Sequence, residues 1–164
     1  LLQWQFAAQV LARCKDAGVH TAVETCLLAP PQAVEALLPV TDQFLVDIKF
    51  LDPVLHKTHL GADNRAILEN FERLLAQGAD VLVRTPLIPG YTATDENLRA
   101  IARYLRRAAP HTPWELLNFN PLCRSKYAAL ERAYPVSGGA LSAAELTHFY
   151  DLAAQEGITK LVKE

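Results

Sequence analysis

Phe44-Leu-Val-Asp-Ile-Lys-Phe50 reads as a β-strand: β-branched and aromatic residues dominate it, and it holds neither glycine nor proline. Strand side chains alternate between faces, so Val46, Ile48 and Phe50 share one face while Asp47 and Lys49 share the other. The apolar face belongs against helices, which turns Asp47 and Lys49 inward. The flanking segments supply those helices. Upstream, residues 3–17 carry Phe6, Val10, Leu11 and Cys14 at helical spacing and stop at Gly18, and a short helix spans Gln32–Leu38. Downstream, Ile67, Leu68, Phe71, Leu74 and Leu75 share one face of a helix that follows Asp63-Asn64 and ends at Gly78. Thr94 caps a helix with Leu98, Ile101, Ala102 and Leu105 that ends before Pro110. Ser142-Ala-Ala-Glu145 is a capping box that opens a helix closed by Gly157.

The remaining β-patterns are His20–Thr25, Asp80–Pro86, Glu115–Asn120 and Ile158–Val162. Strand starts near 20, 44, 80, 115 and 158 lie 24 to 43 residues apart, which is the spacing of βαβ units. The fold class is therefore α/β, with parallel strands covered by helices. Nothing resembling a linker interrupts residues 1–164, so we expect a single domain. A closed eight-stranded barrel needs about 250 residues. Four or five strands in 164 residues make an arc of a βα-barrel with an unpaired edge.

Composition narrows the function. Sixteen basic and 18 acidic side chains leave a net charge of −2, so no electrostatic pull toward nucleic acid or an anionic membrane is expected. An apolar content of 51% with 21% charged residues is that of a folded globular chain. No apolar run approaches the roughly 18 residues of a membrane span, and the first residues, with no basic stretch and no small-residue cleavage site, do not read as a signal peptide. Cys14, Cys26 and Cys123 are odd in number and widely spaced, which argues against a disulfide framework and for a cytoplasmic setting. Methionine is absent, and the chain opens inside the amphipathic pattern Leu-Leu-Gln-Trp-Gln-Phe6. We therefore expect a portion of a longer protein.

In parallel βα folds, chemistry collects at the C-terminal ends of the strands. Those ends here read Val23-Glu-Thr-Cys26, Asp47-Ile-Lys49, Arg84-Thr-Pro86 and Asn118-Phe-Asn120. Parity places Glu24, Asp47, Lys49, Arg84 and Asn120 in one inward cluster. Charges at such a mouth are costly unless paired or solvated, so the plain reading is a structural ion-pair network. The alternative is a site for a zwitterionic or anionic small molecule, with Arg84 gripping a carboxylate in a forked pair and the acids taking an ammonium group or a cation. Lys49 as a Schiff-base nucleophile, in an aldolase or isomerase, is a third reading; Asp47 beside it would hold it charged. His56 and His59 stand three apart, but no carboxylate is clearly placed to complete a metal site with them. Gly138-Gly139 reads as a turn and not as a phosphate loop.

Several stretches, in order, resemble the glycyl-radical-enzyme activating enzymes. They are His20-Thr-Ala-Val-Glu-Thr-Cys26, Val46-Asp-Ile-Lys49, His59-Leu-Gly61 to Asn64, Ile67-Leu-Glu-Asn70, and Val83-Arg-Thr-Pro-Leu-Ile-Pro-Gly90 with Glu96-Asn97. Glu115-Leu-Leu-Asn-Phe-Asn120 and Lys126-Tyr127 fit the family's late strand and the loop after it. The resemblance covers residues 1–130. It implies a radical S-adenosylmethionine (SAM) enzyme on a partial (β/α)6 barrel. Such an enzyme cleaves SAM reductively at a [4Fe–4S] cluster, and the 5′-deoxyadenosyl radical takes a hydrogen from a glycine of a partner, the glycyl radical enzyme. Flavodoxin or ferredoxin would donate the electron.

Carried over by motif, Glu24 takes the family's strand-end acid near SAM, Asp47 and Lys49 its Asp-x-Lys pair, and Arg84 the arginine before the Ile-Pro-Gly turn. Asn120 takes the end of the late strand, where it would contact the adenosine. Glu24, Thr25 and Asp47 would line a monovalent-cation site. The sequence departs from the pattern at Glu24, where the family usually has aspartate, and at Asn120, where it usually has histidine. The Cys-x-x-x-Cys-x-x-Cys cluster motif and the Gly-Gly-Glu-Pro segment are both absent from these 164 residues. In the family both precede the position of Leu1. A [4Fe–4S] cluster needs clustered thiolates, so the cluster is expected to depend on residues outside this chain, and the chain alone to be inactive. A cluster-free barrel that only binds a partner protein is the remaining alternative.

Overall fold

A computed structural model describes residues 1–163. Five strands form one wholly parallel sheet in the order β1-β2-β3-β4-β5: β1 (Ala22–Thr25), β2 (Gln43–Asp47), β3 (Val81–Leu87), β4 (Trp114–Asn118) and β5 (Leu161–Val162). Spatial order follows chain order, so each crossover advances the sheet by one strand. The sheet does not close; β1 and β5 are its edges. This is the open arc expected from the strand spacing.

Helices make the crossovers. α1 (Trp4–Asp16) precedes β1, and α2 (Pro31–Leu37) links β1 to β2. α3 (Pro53–Leu60) and α4 (Arg65–Ala76) link β2 to β3, and α5 (Asp95–Ala108) links β3 to β4. α6 (Arg124–Ala129) and α7 (Ala143–Gln155) lie between β4 and β5. The caps follow the sequence signals. Thr94 Oγ1 accepts from the Asn97 N–H, and Ser142 and Glu145 form the reciprocal capping box.

α3 is the element that periodicity missed. It is short and buries only His56, so no apolar stripe announces it. Its signal is in the caps: Asp52 accepts from the Val54 and Leu55 N–H groups, Pro53 opens the first turn, and Gly61 ends the helix at φ 84°.

The core lies between one face of the sheet and the helices. Phe44, Val46, Ile48 and Phe50 are buried, as are Val81, Val83, Thr85 and Leu87, while the alternate residues are half-exposed. Trp114 is fully buried. Its indole N–H donates to Thr85 Oγ1 at 3.0 Å, and that hydroxyl donates to the Ile48 carbonyl at 2.8 Å. One threonine thus ties β3 to β4 and to the residue just past β2, and settles its own buried polar atom. α1 packs more loosely. Leu11 meets the core, but Phe6 and Val10 are exposed, so the apolar stripe is wider than the face it buries. No helix among the described residues is long and apolar enough to cross a membrane.

Candidate functional site

Because the core takes Val46, Ile48, Val83, Thr85, Trp114 and Leu116, the opposite face of the sheet receives the residues between them. In register across three strands, Asp47 lies opposite Arg84, and Arg84 opposite Glu115. Glu24 projects from the same face of β1, paired in register with Leu45. Lys49, just beyond β2, continues that face.

These side chains are linked. Lys49 Nζ donates to Asp47 Oδ2 at 2.9 Å. Arg84 Nη1 lies 3.0 Å from Glu24 Oε2, and Arg84 Nε lies 3.4 Å from Glu115 Oε2. The second is an ion pair without hydrogen-bond alignment, for Nε has no hydrogen-bond partner among the described residues. Asp47 Oδ1 is likewise buried and unbonded. Such groups are uncommon in folded proteins, because burial removes water without replacing it. Here one acceptor and one donor of this kind lie in the same row of the sheet. Three acids and two bases give this face a formal charge of −1.

Other expected members fall elsewhere. Thr25 alternates to the opposite side of β1 from Glu24, and its hydroxyl accepts from the Leu27 N–H at 2.9 Å, so the structure does not gather Glu24, Thr25 and Asp47 through their side chains. β4 ends at Asn118, so alternation no longer governs Asn120. Asn120 is exposed, and its Oδ1 caps the following turn by accepting from the Leu122 N–H. Asn118 faces the helix side, where it both donates to the Leu141 carbonyl and accepts from its N–H. Glu115 is the residue that sequence reasoning overlooked. Its signal was parity counted from the start of the strand, between the apolar Trp114 and Leu116.

Three buried asparagines fasten the loops that carry this face. Asn70 Nδ2 donates to the carbonyls of Leu27 and Ala29 beyond β1. Asn64 donates to those of Phe50 and Leu51 beyond β2. Asn97 donates to the Lys49 and Thr92 carbonyls, tying the end of β2 to the loop after β3. Loops with irregular backbone need such partners, since no ladder satisfies their carbonyls.

Beside Lys49 lies a cavity of about 350 Å³ lined by Phe50, His59, Ile88, Tyr91 and Pro135, among others. His59 stacks on Phe50 with centroids 5.4 Å apart and meets Tyr91 edge-on at 5.1 Å. The His56 Nδ1–H donates to the Ala62 carbonyl at 2.6 Å, which is a structural role. Among the described residues no three His, Cys, Asp or Glu side chains are placed to hold a metal ion, and Cys14, Cys26 and Cys123 are free thiols. The residues present therefore do not fit an iron–sulfur cluster. They do fit a zwitterionic ligand, with acids for an ammonium group and a guanidinium for a carboxylate. The 2.9 Å salt link to Asp47 engages Lys49 Nζ, which disfavours it as a nucleophile.

No protein-family model matches the chain. Among curated proteins it is 38% identical over 147 residues to the isethionate sulfite-lyase activating enzyme of Desulfovibrio desulfuricans, covering 88% of this chain and 46% of that protein. It is 35% identical over 150 residues to the choline trimethylamine-lyase activating enzyme of Oleidesulfovibrio alaskensis, with 89% and 48% covered. The indoleacetate decarboxylase activating enzyme of Tractidigestivibacter scatoligenes is 31% identical over 166 residues, with 99% and 52% covered. The chain is a homologue of the glycyl-radical-enzyme activating enzymes. These are radical SAM proteins, and SAM with a [4Fe–4S] cluster belongs to that family. The homologue spans about half the length of the curated relatives it matches.

Among solved structures, a domain of the pyruvate-formate lyase-activating enzyme from Bacteroides vulgatus superposes with a TM-score of 0.79 at 25% identity, covering 98% of this chain and 91% of that one. SuiB of Streptococcus suis bound to S-adenosylmethionine superposes with a TM-score of 0.72 at 12% identity, covering 96% and 36%, a likeness of fold. The open parallel sheet of the homologue is thus the fold of radical SAM neighbours.

Proposed function

We propose that this chain forms the part of a glycyl-radical-enzyme activase that binds the amino-acid end of SAM. The observation that carries the reading is the row Asp47–Arg84–Glu115, with Asp47 Oδ1 unbonded and Arg84 Nη1 turned toward the exposed Glu24. Arg84 presents a planar fork of N–H donors suited to the SAM carboxylate. Asp47 and Glu24 present acceptors suited to its ammonium group. Lys49, tied to Asp47 and anchored through its carbonyl by Asn97, sets where the Asp47 carboxylate points. Asn120, on the loop beyond β4, is the rim residue proposed for the adenosine. The helix-covered side of the sheet excludes water behind the row, which strengthens its charges.

Glu24, Asp47 and Arg84 would hold the amino-acid end of SAM, which in the longer protein would supply the radical chemistry directed at a glycine of the partner enzyme. The cluster ligands are proposed to come from outside these 164 residues, because the three thiols here are not grouped. Activity then belongs to the longer protein, working on a glycyl radical enzyme with an electron from a flavodoxin or ferredoxin, in the cytoplasm. A monovalent cation beside the SAM carboxylate would use Glu24 and Asp47, with Thr25 contributing only if it turns.

Calorimetric titration of SAM into the full-length protein tests this reading. Arg84→Lys keeps the charge but loses the two-donor fork, so affinity should fall about tenfold, the worth of one charge-assisted hydrogen bond of about 1.5 kcal/mol. Equal affinity in the two proteins would place the SAM carboxylate elsewhere.

A further inference from the structure

Arg84 is held by two acids that differ in kind. Glu24 stands on the edge strand β1, which pairs only with β2, and its side chain is 59% exposed. Glu115 stands on β4, which is paired on both sides, and its side chain is 21% exposed. The backbone beneath Glu115 is pinned by its neighbours: Trp114 and Leu116 are fully buried, the Trp114 N–H donates to the Lys160 carbonyl, and the Val83 N–H donates to that of Pro113. The two acids also take different edges of the guanidinium. Glu115 faces Nε at 3.4 Å, and Glu24 faces Nη1 at 3.0 Å.

We propose that Glu115 is a positioning residue that anchors the Nε edge of Arg84, while Glu24 is the acid a ligand carboxylate displaces from Arg84. This rests on the reading that the face binds SAM. A carboxylate taking a forked pair from Arg84 must compete with one acid, and the exposed acid on the edge strand moves at lower cost than the less exposed one on the interior strand. Without Glu115 the arginine keeps only its exposed partner, and its long side chain samples other rotamers before a ligand arrives, an ordering cost that appears as lost affinity. Glu115 also sets the charge. Glu24, Asp47, Lys49 and Arg84 sum to zero, and Glu115 makes the face −1, the complement of a SAM molecule that carries a sulfonium, an ammonium and one carboxylate.

A double-mutant cycle on SAM affinity in the full-length protein decides it, read by calorimetry on wild type, Glu115→Gln, Arg84→Lys and the double variant. Glu115→Gln should weaken SAM binding about fivefold or more in the wild-type background and less than about twofold in the Arg84→Lys background, because the residue acts through Arg84. Glu115→Asp, which keeps the charge and withdraws it by one methylene, should fall between, and it replaces Glu115→Gln in the cycle if that variant does not fold. Wild-type affinity in Glu115→Gln, or the same factor lost in both backgrounds, overturns the positioning role while leaving the SAM reading intact. Absence of SAM binding by the wild-type protein overturns that reading, and the role of Glu115 with it.

Discussion

Leu27 shows how one residue sets the mouth of the site. It is fully buried, yet its backbone lies in the left-handed region at φ 59°. A side chain there is strained by about 1–2 kcal/mol, and burial of the leucine offsets the cost. The bend lets the Leu27 N–H donate to Thr25 Oγ1 and its carbonyl accept from Asn70, and so fixes how the chain leaves β1 just after Glu24 and Thr25. This inverts a usual ranking. Leu27→Ala should cost about 2–5 kcal/mol for the lost packing. Leu27→Gly loses the same packing but relieves the strain, and should be about 1 kcal/mol more stable than the alanine variant. Denaturant midpoints of the two variants measure the order; alanine above glycine would show that the turn is unstrained. Glu24 and Glu115 differ at this scale as well, where exposure, and not charge alone, separates an acid that can move from one that stays.

At the scale of elements, α5 and α7 are joined by Glu156 at the end of α7. Its carboxylate accepts from Arg103 Nε and Nη2 at 2.9 and 3.0 Å and from Arg99 Nη1 at 2.9 Å. Those hydrogen bonds, Arg103 first and Arg99 next, hold its pKa down to about 2 from an ordinary 4.5. A carboxyl group whose folded pKa is depressed adds stability that is complete above its unfolded pKa and is lost as pH falls through the folded value. The contribution is therefore present at pH 5 and above, and should fade from about pH 4.5 to about pH 2. Glu156→Gln should remove that part of the acid dependence, flattening thermal midpoints over the same range. An unchanged slope would assign the acid sensitivity to other carboxylates, such as Asp42, which Lys15 and Thr21 hold well below the usual range. The three asparagine clamps belong to this scale too: each starts in or beside a helix and ends on loop carbonyls at the site, so helix packing is converted into loop position.

The whole molecule is an open arc, and its openness has consequences. β1 is an edge strand, and Phe6 and Val10 of nearby α1 are exposed. Unpaired strand edges and apolar stripes favour association. Residues 1–164 produced alone should therefore associate as concentration rises in sedimentation velocity; a single monomer peak across the range would mean that the β1 edge is already protected. Much of this architecture was legible in the residues. Period-two and period-3.6 patterns are local, so Phe44 to Phe50 announced a strand with one apolar face, and Ser142 with Glu145 announced the start of a helix. α3 was hidden because a short helix with one buried residue leaves its signal only in Asp52, Pro53 and Gly61. Within the site, alternation placed Asp47, Lys49 and Arg84 on one face but failed for Asn120, which lies beyond the last residue that the β4 ladder holds. The pairing of Arg84 with Glu115 was not legible. Residues 31 positions apart become neighbours only through the β3–β4 register. That register follows from which faces of β3 and β4 pack into the core, and no pattern within either strand alone names the partner residue.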